Sequence, residues 1–263
     1  MGGVTRRSDF AQRLRQGAPL AGTFQKTPAY QIVELLGQSG LDFVVLDTEH
    51  APFDPSQIDA CMLASHAADL PLVVRVARNE PDAILSALDM GASGVFIPHA
   101  RAAADASHAA SAARYIGGSR GFSPSTRAGA YGKRGLHGYM EAADREVAVV
   151  LQIEDAEALD DLGAIAAVDG ITGLFLGRAD LAVSMAADWN DPRLDEATRR
   201  MSDACRSAGI AAGAYLADTS RLAEYLAWGL SFFVIGSDQG SLRAEGARSA
   251  AAFAEILNRR ESA

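Results

Sequence analysis

Cationic charge, sulfur and long apolar runs are all scarce in this chain, and each shortage closes off a class of function. The 24 Lys and Arg are outnumbered by 33 Asp and Glu, giving a formal net charge of −9. Gripping a phosphate backbone or an anionic bilayer takes a surplus of cations on some surface. No nucleic-acid or membrane partner is therefore expected; a small molecule is. The apolar stretches are short and interrupted, and the opening MGGVTRRSDF lacks a hydrophobic signal core. Neither membrane insertion nor secretion is predicted, and a cytoplasmic protein is. Cys61 and Cys205 are the only cysteines, too few for a disulfide framework or a structural zinc site, and both sit in Ala-rich helical patterns as core thiols. Lysine is rarer than its charge class suggests, with only Lys26 and Lys133. A covalent amine mechanism needs a buried lysine at a strand end. Neither lysine ends a central strand, although Lys26 lies just beyond the first.

What the chain does have is 263 residues at 49% hydrophobic, enough for one large core and close to the size of one α/β barrel. Four segments, 40–46, 91–97, 170–176 and 229–235, share a pattern of Gly, a few small or mixed residues, then an apolar run. Gly suits the left-handed position that stops a helix, and an apolar run covered on both faces is what a parallel strand requires. Each such Gly is thus predicted to mark a helix-to-strand corner. Residues 20–24, 71–75, 147–153 and 210–215 add four β-rich runs, and the Ala- and Leu-rich stretches between carry helical spacing. Strand and helix alternate. A doubly wound open sheet also fits such alternation, but a count near eight and the lack of a Gly-x-Gly-x-x-Gly turn after the first strand favour a closed (β/α)8 TIM barrel. No linker or second boundary interrupts it, so residues 1–263 read as a single domain. One long irregular stretch, 117–141, is rich in Gly, Arg, Ser and Tyr, the kind of loop that is usually functional.

In such barrels the reacting groups follow the carboxyl ends of the strands. Here the second strand ends in Asp47-Thr48-Glu49-His50, the third in Arg75, the fifth in Gln152-Ile153-Glu154-Asp155, and the sixth in Gly177-Arg178-Ala179-Asp180. Glu154 and Asp180 are hard oxygen donors that could hold one divalent cation and leave positions open, or could serve as helix cap and salt-bridge partner. His50, beside two acids, suits a general base. Arg75 could pair with a substrate carboxylate or a developing enolate oxygen, or with Asp47 or Glu49 across the barrel. Alternation puts Gln152 on the side of Glu154, where it would meet substrate. Residues 236–240 form either an anion cradle or an ordinary turn. His66, His99, His108 and His137 carry no partner pattern.

Taken together, Asp47-Thr48-Glu49-His50-Ala51-Pro52, Val74-Arg75-Val76, Gln152-Ile153-Glu154 and Gly177-Arg178-Ala179-Asp180-Leu181 resemble the motif set of the class II, metal-dependent pyruvate aldolases of the HpcH/HpaI type. The resemblance runs from about residue 22 to about residue 246 and includes Arg120-Gly121 and Gly236-Ser237-Asp238. It implies a lyase that splits a 4-hydroxy-2-oxo acid into pyruvate, or a related 2-oxo acid, and an aldehyde through an enolate. By the same resemblance, Glu154 and Asp180 hold Mg2+, Mn2+ or Co2+. Arg75, Gln152, Ala179 and Asp180 bind substrate, and His50 is the acid/base. Asp89 supports that histidine from an adjacent subunit, and the final helix packs on a neighbour in a homo-trimer or hexamer. Two departures bear on the substrate: Arg178 stands where Pro is frequent, and Thr48 where Gly is. Two rivals are a citrate-lyase-like acyl-CoA lyase, whose only candidate phosphate groove is Arg120, Arg127 and Arg134, and a non-catalytic metal- or metabolite-binding barrel.

Overall fold

The computed structural model describes residues 5–133 and 135–261. Helix α1 (Arg6–Arg15) precedes β1 (Leu20–Gln25), α2 (Tyr30–Gly37), β2 (Phe43–Asp47), α3 (Pro55–Ala68), β3 (Leu72–Arg75), α4 (Pro81–Asp89), β4 (Gly94–Ile97) and α5 (Ala103–Ala113). The second half runs α6 (Leu136–Glu146), β5 (Ala148–Ile153), α7 (Leu162–Ala166), β6 (Gly173–Leu176), α8 (Arg178–Ser184) and α9 (Pro192–Ala208). It finishes with β7 (Ala211–Leu216), α10 (Leu222–Ala227), β8 (Phe232–Ser237) and α11 (Asp238–Glu261). The strands pair in sequence order, all parallel, and β8 returns to β1 to close an eight-stranded barrel.

The four corner glycines do what their sequence context demands: Gly40, Gly91, Gly170 and Gly229 have φ of 87°, 95°, 101° and 91°. A β-carbon is strained in that region, so another residue there would loosen the helix-to-strand turn.

Alternation along the strands divides the core in two. One set, including Val44, Leu46, Leu72, Val74, Val95, Ile97, Leu151 and Leu174, faces the helices. The other, Phe43, Val45, Val73, Phe96, Val150, Phe175, Phe232 and Val234, fills the barrel, with Phe10 and Leu14 of α1 packed against it from the end where the strands begin. Large rings fit because glycines face them: a β-carbon on Gly213 would stand 2.5 Å from the Phe232 ring, and one on Gly22 would stand 2.7 Å from Phe43. Phe175 contacts Phe96 and Phe232 at centroid separations of 5.1 and 5.9 Å.

The inward register also fixes the site. Asp47 lies two residues beyond Val45, Arg75 two beyond Val73, and Gln152 two beyond Val150, so all three continue the barrel-filling face past its apolar layers. Helix α1 and the 3-10 turn Ala130–Gly132 inside the long irregular stretch were not legible in the sequence pattern. Cys61 and Cys205 are buried and unpaired, and burial pushes their thiols up to about 11 and about 12, which keeps them inert. No helix among the described residues is long and apolar enough to cross a membrane.

Phe175→Ala empties the centre of the ring cluster and should cost about 3–5 kcal/mol, read as a lower urea midpoint at unchanged m-value. A loss below ~1 kcal/mol would mean the rings are not a packed core.

Candidate active site

At the carboxyl end of the barrel the site is organised around a buried ion pair. The Asp47 carboxylate, fully buried, accepts from Arg75 Nε at 3.0 Å and Nη2 at 2.7 Å. The same carboxylate accepts from the His50 amide at 3.0 Å, which fixes the loop carrying that histidine. Burial alone would push the Asp47 carboxyl up, but the two-pronged bond to Arg75 overrides it and holds the group below its ordinary range. Arg75 is also 3.3 Å from Glu49 Oε2, stacks over Phe24 at 4.7 Å, and donates through Nη1 to Gln152 Oε1 at 3.4 Å. Of the two readings of Arg75, the ion pair across the barrel to Asp47 and Glu49 is the one these contacts show.

Gln152 passes the connection on, donating from Nε2 to Glu154 Oε2. The other oxygen of Glu154 accepts from the His99 amide at 2.8 Å. Glu154 is 2% exposed, and its carboxyl is pushed up to about 6, first by burial and further by the charges of Glu49 and Asp180, against the opposing pull of His99. Gly177, just after β6, leaves room for both side chains: a β-carbon there would stand 2.9 Å from both Gln152 Nε2 and Glu154 Oε2.

His99 is the group sequence reasoning missed. It follows β4 with φ of 53°, a left-handed conformation uncommon for a residue with a β-carbon. Its Nδ1 lies 3.0 Å from Asp155 Oδ2 and 3.5 Å from Glu154 Oε1, and its Nε2 lies 3.7 Å from Glu49 Oε1. Burial lowers its pKa, but the bond to Asp155 and the surrounding carboxylates more than reverse this, so the imidazole is held above its usual value. Only the Pro98-His99 pair at the end of an apolar run could have signalled it.

Glu49, His99 and Glu154 bring ligand atoms within 4.8 Å of one another. Glu49 Oε2 is buried and accepts no hydrogen bond. A buried carboxylate oxygen that meets Arg75 and His50 only at ion-pair distance, a carboxyl raised by burial and further by neighbouring negative charge, and a cluster of hard donors are what a divalent cation would relieve, so the residues present fit such an ion.

The remaining predicted residues divide. Ala179 and Asp180 are exposed in the first turn of α8, where Asp180 is near enough for its charge to be felt at Glu154. His50 is half exposed with Nε2 3.6 Å from Glu49 Oε2. Asp89, the last residue of α4, is at the opposite end of its own barrel, where it accepts from Arg120 Nη2 at 2.9 Å. Arg178 turns away from the mouth: it is buried, bonded to Asp195 at 2.7 Å and to the Trp189 carbonyl at 3.3 Å. Thr48 spends its hydroxyl on the Arg75 carbonyl at 2.6 Å. Residues 236–240 are the last two residues of β8 and the first three of α11, with Asp238 accepting the Lys26 and Thr27 amides at 2.9 and 3.0 Å. Arg120 and Arg127 wall a cavity at the far end of this chain from the mouth, so they supply no CoA groove there, and Arg134 lies outside the described residues.

Glu154 titrates near 6 when folded and near ~4.3 when unfolded, so the folded state holds the extra proton between those values. The stability this group contributes is complete below the unfolded value and is lost as pH rises through the folded one. Metal-free Glu154→Gln, which mimics the protonated form, should therefore be more stable than the parent by about 1–2 kcal/mol at ~pH 8. The advantage should vanish near ~pH 4. Thermal melts at both values check this; a variant less stable at ~pH 8 would contradict it.

The HpcH/HpaI aldolase/citrate lyase sequence profile matches residues 21–244. A 2-dehydro-3,6-dideoxy-6-sulfogluconate aldolase from Pseudomonas putida is 34% identical over 232 residues, spanning 87% of this chain and 89% of that protein. A pyruvate aldolase from Rhizobium etli is 34% identical over 233 residues, spanning 87% and 91%. Among solved structures, an HpcH/HpaI aldolase/citrate lyase family protein from Burkholderia cenocepacia superposes with a TM-score of 0.88 at 32% identity, covering 94% of this chain and 99% of that one. The closed parallel barrel, the carboxylates at its mouth and these matches lead to one assignment: the chain belongs to the HpcH/HpaI aldolase/citrate lyase family.

Proposed function

We propose that the protein is a class II aldehyde-lyase that cleaves a 4-hydroxy-2-oxo acid reversibly to pyruvate, or a closely related 2-oxo acid, and an aldehyde. The observation that carries this reading is the Arg75 guanidinium, buried beside Asp47 yet edged toward the Glu49–His99–Glu154 cluster. An anion-stabilising group next to a cation-seeking one suits a reaction that generates negative charge on a carboxylate-bearing ketone. Relatives named for aldol chemistry on pyruvate and deoxy-sugar acids support the same reading.

In this proposal Glu154 and Asp180 hold a divalent ion, Mg2+, Mn2+ or Co2+, beside Glu49 and His99. The ion, when bound, supplies Lewis-acid polarisation of the substrate ketone. Arg75 takes the substrate carboxylate side and shares the charge that develops as the C3–C4 bond breaks, with Asp47 keeping the guanidinium aimed. Gln152 and Ala179 orient the oxo-acid end. His50, half exposed on a loop anchored by Asp47, accepts the 4-hydroxyl proton as the aldehyde departs and returns a proton in the synthetic direction.

A homo-oligomer, trimeric or hexameric, is part of the proposal. Helix α11 touches its own barrel chiefly at β1 and β8 and leaves Leu242, Phe253, Ile256 and Leu257 exposed. Apolar surface of that kind marks an association face. Asp89, remote from His50 within one chain, would act on the histidine of a neighbour.

Exchange of pyruvate methyl protons for deuterium, followed by NMR, tests the enolate half of the reaction without knowledge of the aldehyde. Exchange should require Mn2+ or Mg2+, stop with EDTA, and fall at least about 100-fold in Arg75→Ala. Near-normal exchange in that variant, with an unchanged circular dichroism spectrum, would overturn the assignment. Absence of metal-dependent exchange in the parent would leave a non-catalytic barrel as the better description.

A further inference from the structure

The first strand carries a cation to the mouth that the proposed chemistry does not use. Lys26 lies two residues beyond Phe24, one of the side chains of the barrel interior, so alternation carries it inward above the rings. Its Nζ stands 3.4 Å from Asp47 Oδ2, with the side chain 31% exposed. It therefore meets the carboxylate that holds Arg75, but from the β1 side and within reach of water.

Asp47 has little left to offer an ammonium. Arg75 donates to Oδ1 at 3.0 Å and to Oδ2 at 2.7 Å, and the Glu49 and His50 amides donate to Oδ1 at 3.2 and 3.0 Å. Lys26 approaches only at ion-pair distance, and its pull on the Asp47 carboxyl is weaker than those of Arg75 and the His50 amide. An ammonium carries three donors, and one contact at 3.4 Å leaves them largely uncommitted. Arg101, also exposed at the mouth, is by contrast tied to Asp155 and Glu157 at 3.2 and 3.1 Å. The backbone under Lys26 is firmly held. Asp238 accepts the Lys26 and Thr27 amides, and the buried Gln25 side chain donates to the Thr27 and Ala29 carbonyls at 3.0 and 2.9 Å. A fixed stem with a largely uncommitted charged head is how a ligand-binding group is built, because little ordering remains to be done when the ligand arrives.

We propose that Lys26 is a specificity-determining residue, whose ammonium receives a carboxylate or similar anion at the end of the substrate remote from the 2-oxo group. The inference rests on the aldolase reading and narrows it: the aldehyde fragment is an anionic one. Phe24 adjoins both cations. Arg75 stacks over its ring at 4.7 Å, Lys26 follows it on the same strand face, and Tyr215 extends the apolar surface at 6.2 Å between ring centroids. A tail of a few carbons laid along these rings from an oxo-acid head at Arg75 ends beside the ammonium. The charges around it make the choice a sharp one. Glu49, Glu154 and Asp180 repel an anionic tail, so a cation on the opposite flank is what admits one, whereas a neutral tail gains nothing from it.

Calorimetric titration of the full-length protein in Mn2+ buffer with 2-oxoadipate and with 2-oxohexanoate tests this. The two share one carbon chain and differ in ending on a carboxylate or a methyl group, and neither carries the 4-hydroxyl that cleavage needs. The parent should bind 2-oxoadipate at least about tenfold more tightly. Lys26→Met and Lys26→Gln should each bring the two affinities to within about twofold of one another. Lys26→Arg, which restores the charge, should keep most of the preference. Equal affinities in the parent, binding of neither probe, or a preference that persists in both neutral variants would each overturn the proposal. Metal-dependent exchange of pyruvate methyl protons, measured on the same parent, separates the two readings. Exchange without a preference removes the Lys26 subsite and keeps the aldolase; a preference without exchange keeps the subsite and removes the aldolase.

Discussion

The mouth of this barrel turns on a guanidinium clamped by one carboxylate inside a low-dielectric wall. Arg75 reaches the interior because its strand brings every second residue inward, and a buried charge persists only when paired and hydrogen-bonded. Asp47 satisfies that condition so completely that its carboxyl is driven below the usual range. Glu49 and Glu154 then stand next to a cation that is largely spoken for. Glu154 is raised chiefly by its own burial, and the neighbouring charges of Glu49 and Asp180 add to that rise. A site in that state calls for a second positive centre, which is the physical content of a metal-dependent reading.

The same geometry accounts for the division of labour between the layers. Phenylalanine rings filling the barrel against Gly22 and Gly213 give the strand ends a rigid footing, and a polar constellation is only as well aimed as the packing beneath it. The groups proposed to handle protons and the distal part of the substrate, His50, Ala179 and Asp180, sit on the first turns after the strands and are exposed. Anion-stabilising chemistry is thus buried and fixed, while proton traffic and substrate choice lie where water and substituents can enter. Arg178 fits this division once its direction is seen: bonded to Asp195 and Trp189, it braces the segment that carries Asp180 instead of reaching for the substrate.

Much of this was legible in the residues. Gly40, Gly91, Gly170 and Gly229 announced the helix-to-strand corners because a positive φ is nearly a glycine privilege, and the acids and Arg75 after apolar runs announced the mouth. His99 was hidden for a converse reason. Its importance comes from Glu49, Glu154 and Asp155, distant in sequence, and from a left-handed backbone that a histidine gives no hint of adopting. Asp89 could not be placed from its own helix either, since within one chain it faces Arg120. Helix α1 was missed because its three inward residues, Phe10, Ala11 and Leu14, make too sparse a stripe among the arginines to register as a plug.

The central claim is that Glu154 anchors a cation because its carboxylate is buried and crowded by negative charge. Calorimetric titration of the chelator-treated protein with Mn2+ addresses it directly. The account predicts one saturable site per chain, proton release on binding that grows as pH falls toward the Glu154 titration, and affinity reduced by at least about 100-fold in Glu154→Gln. Equal Mn2+ affinity in that variant, with no pH-linked proton release in the parent, would contradict it.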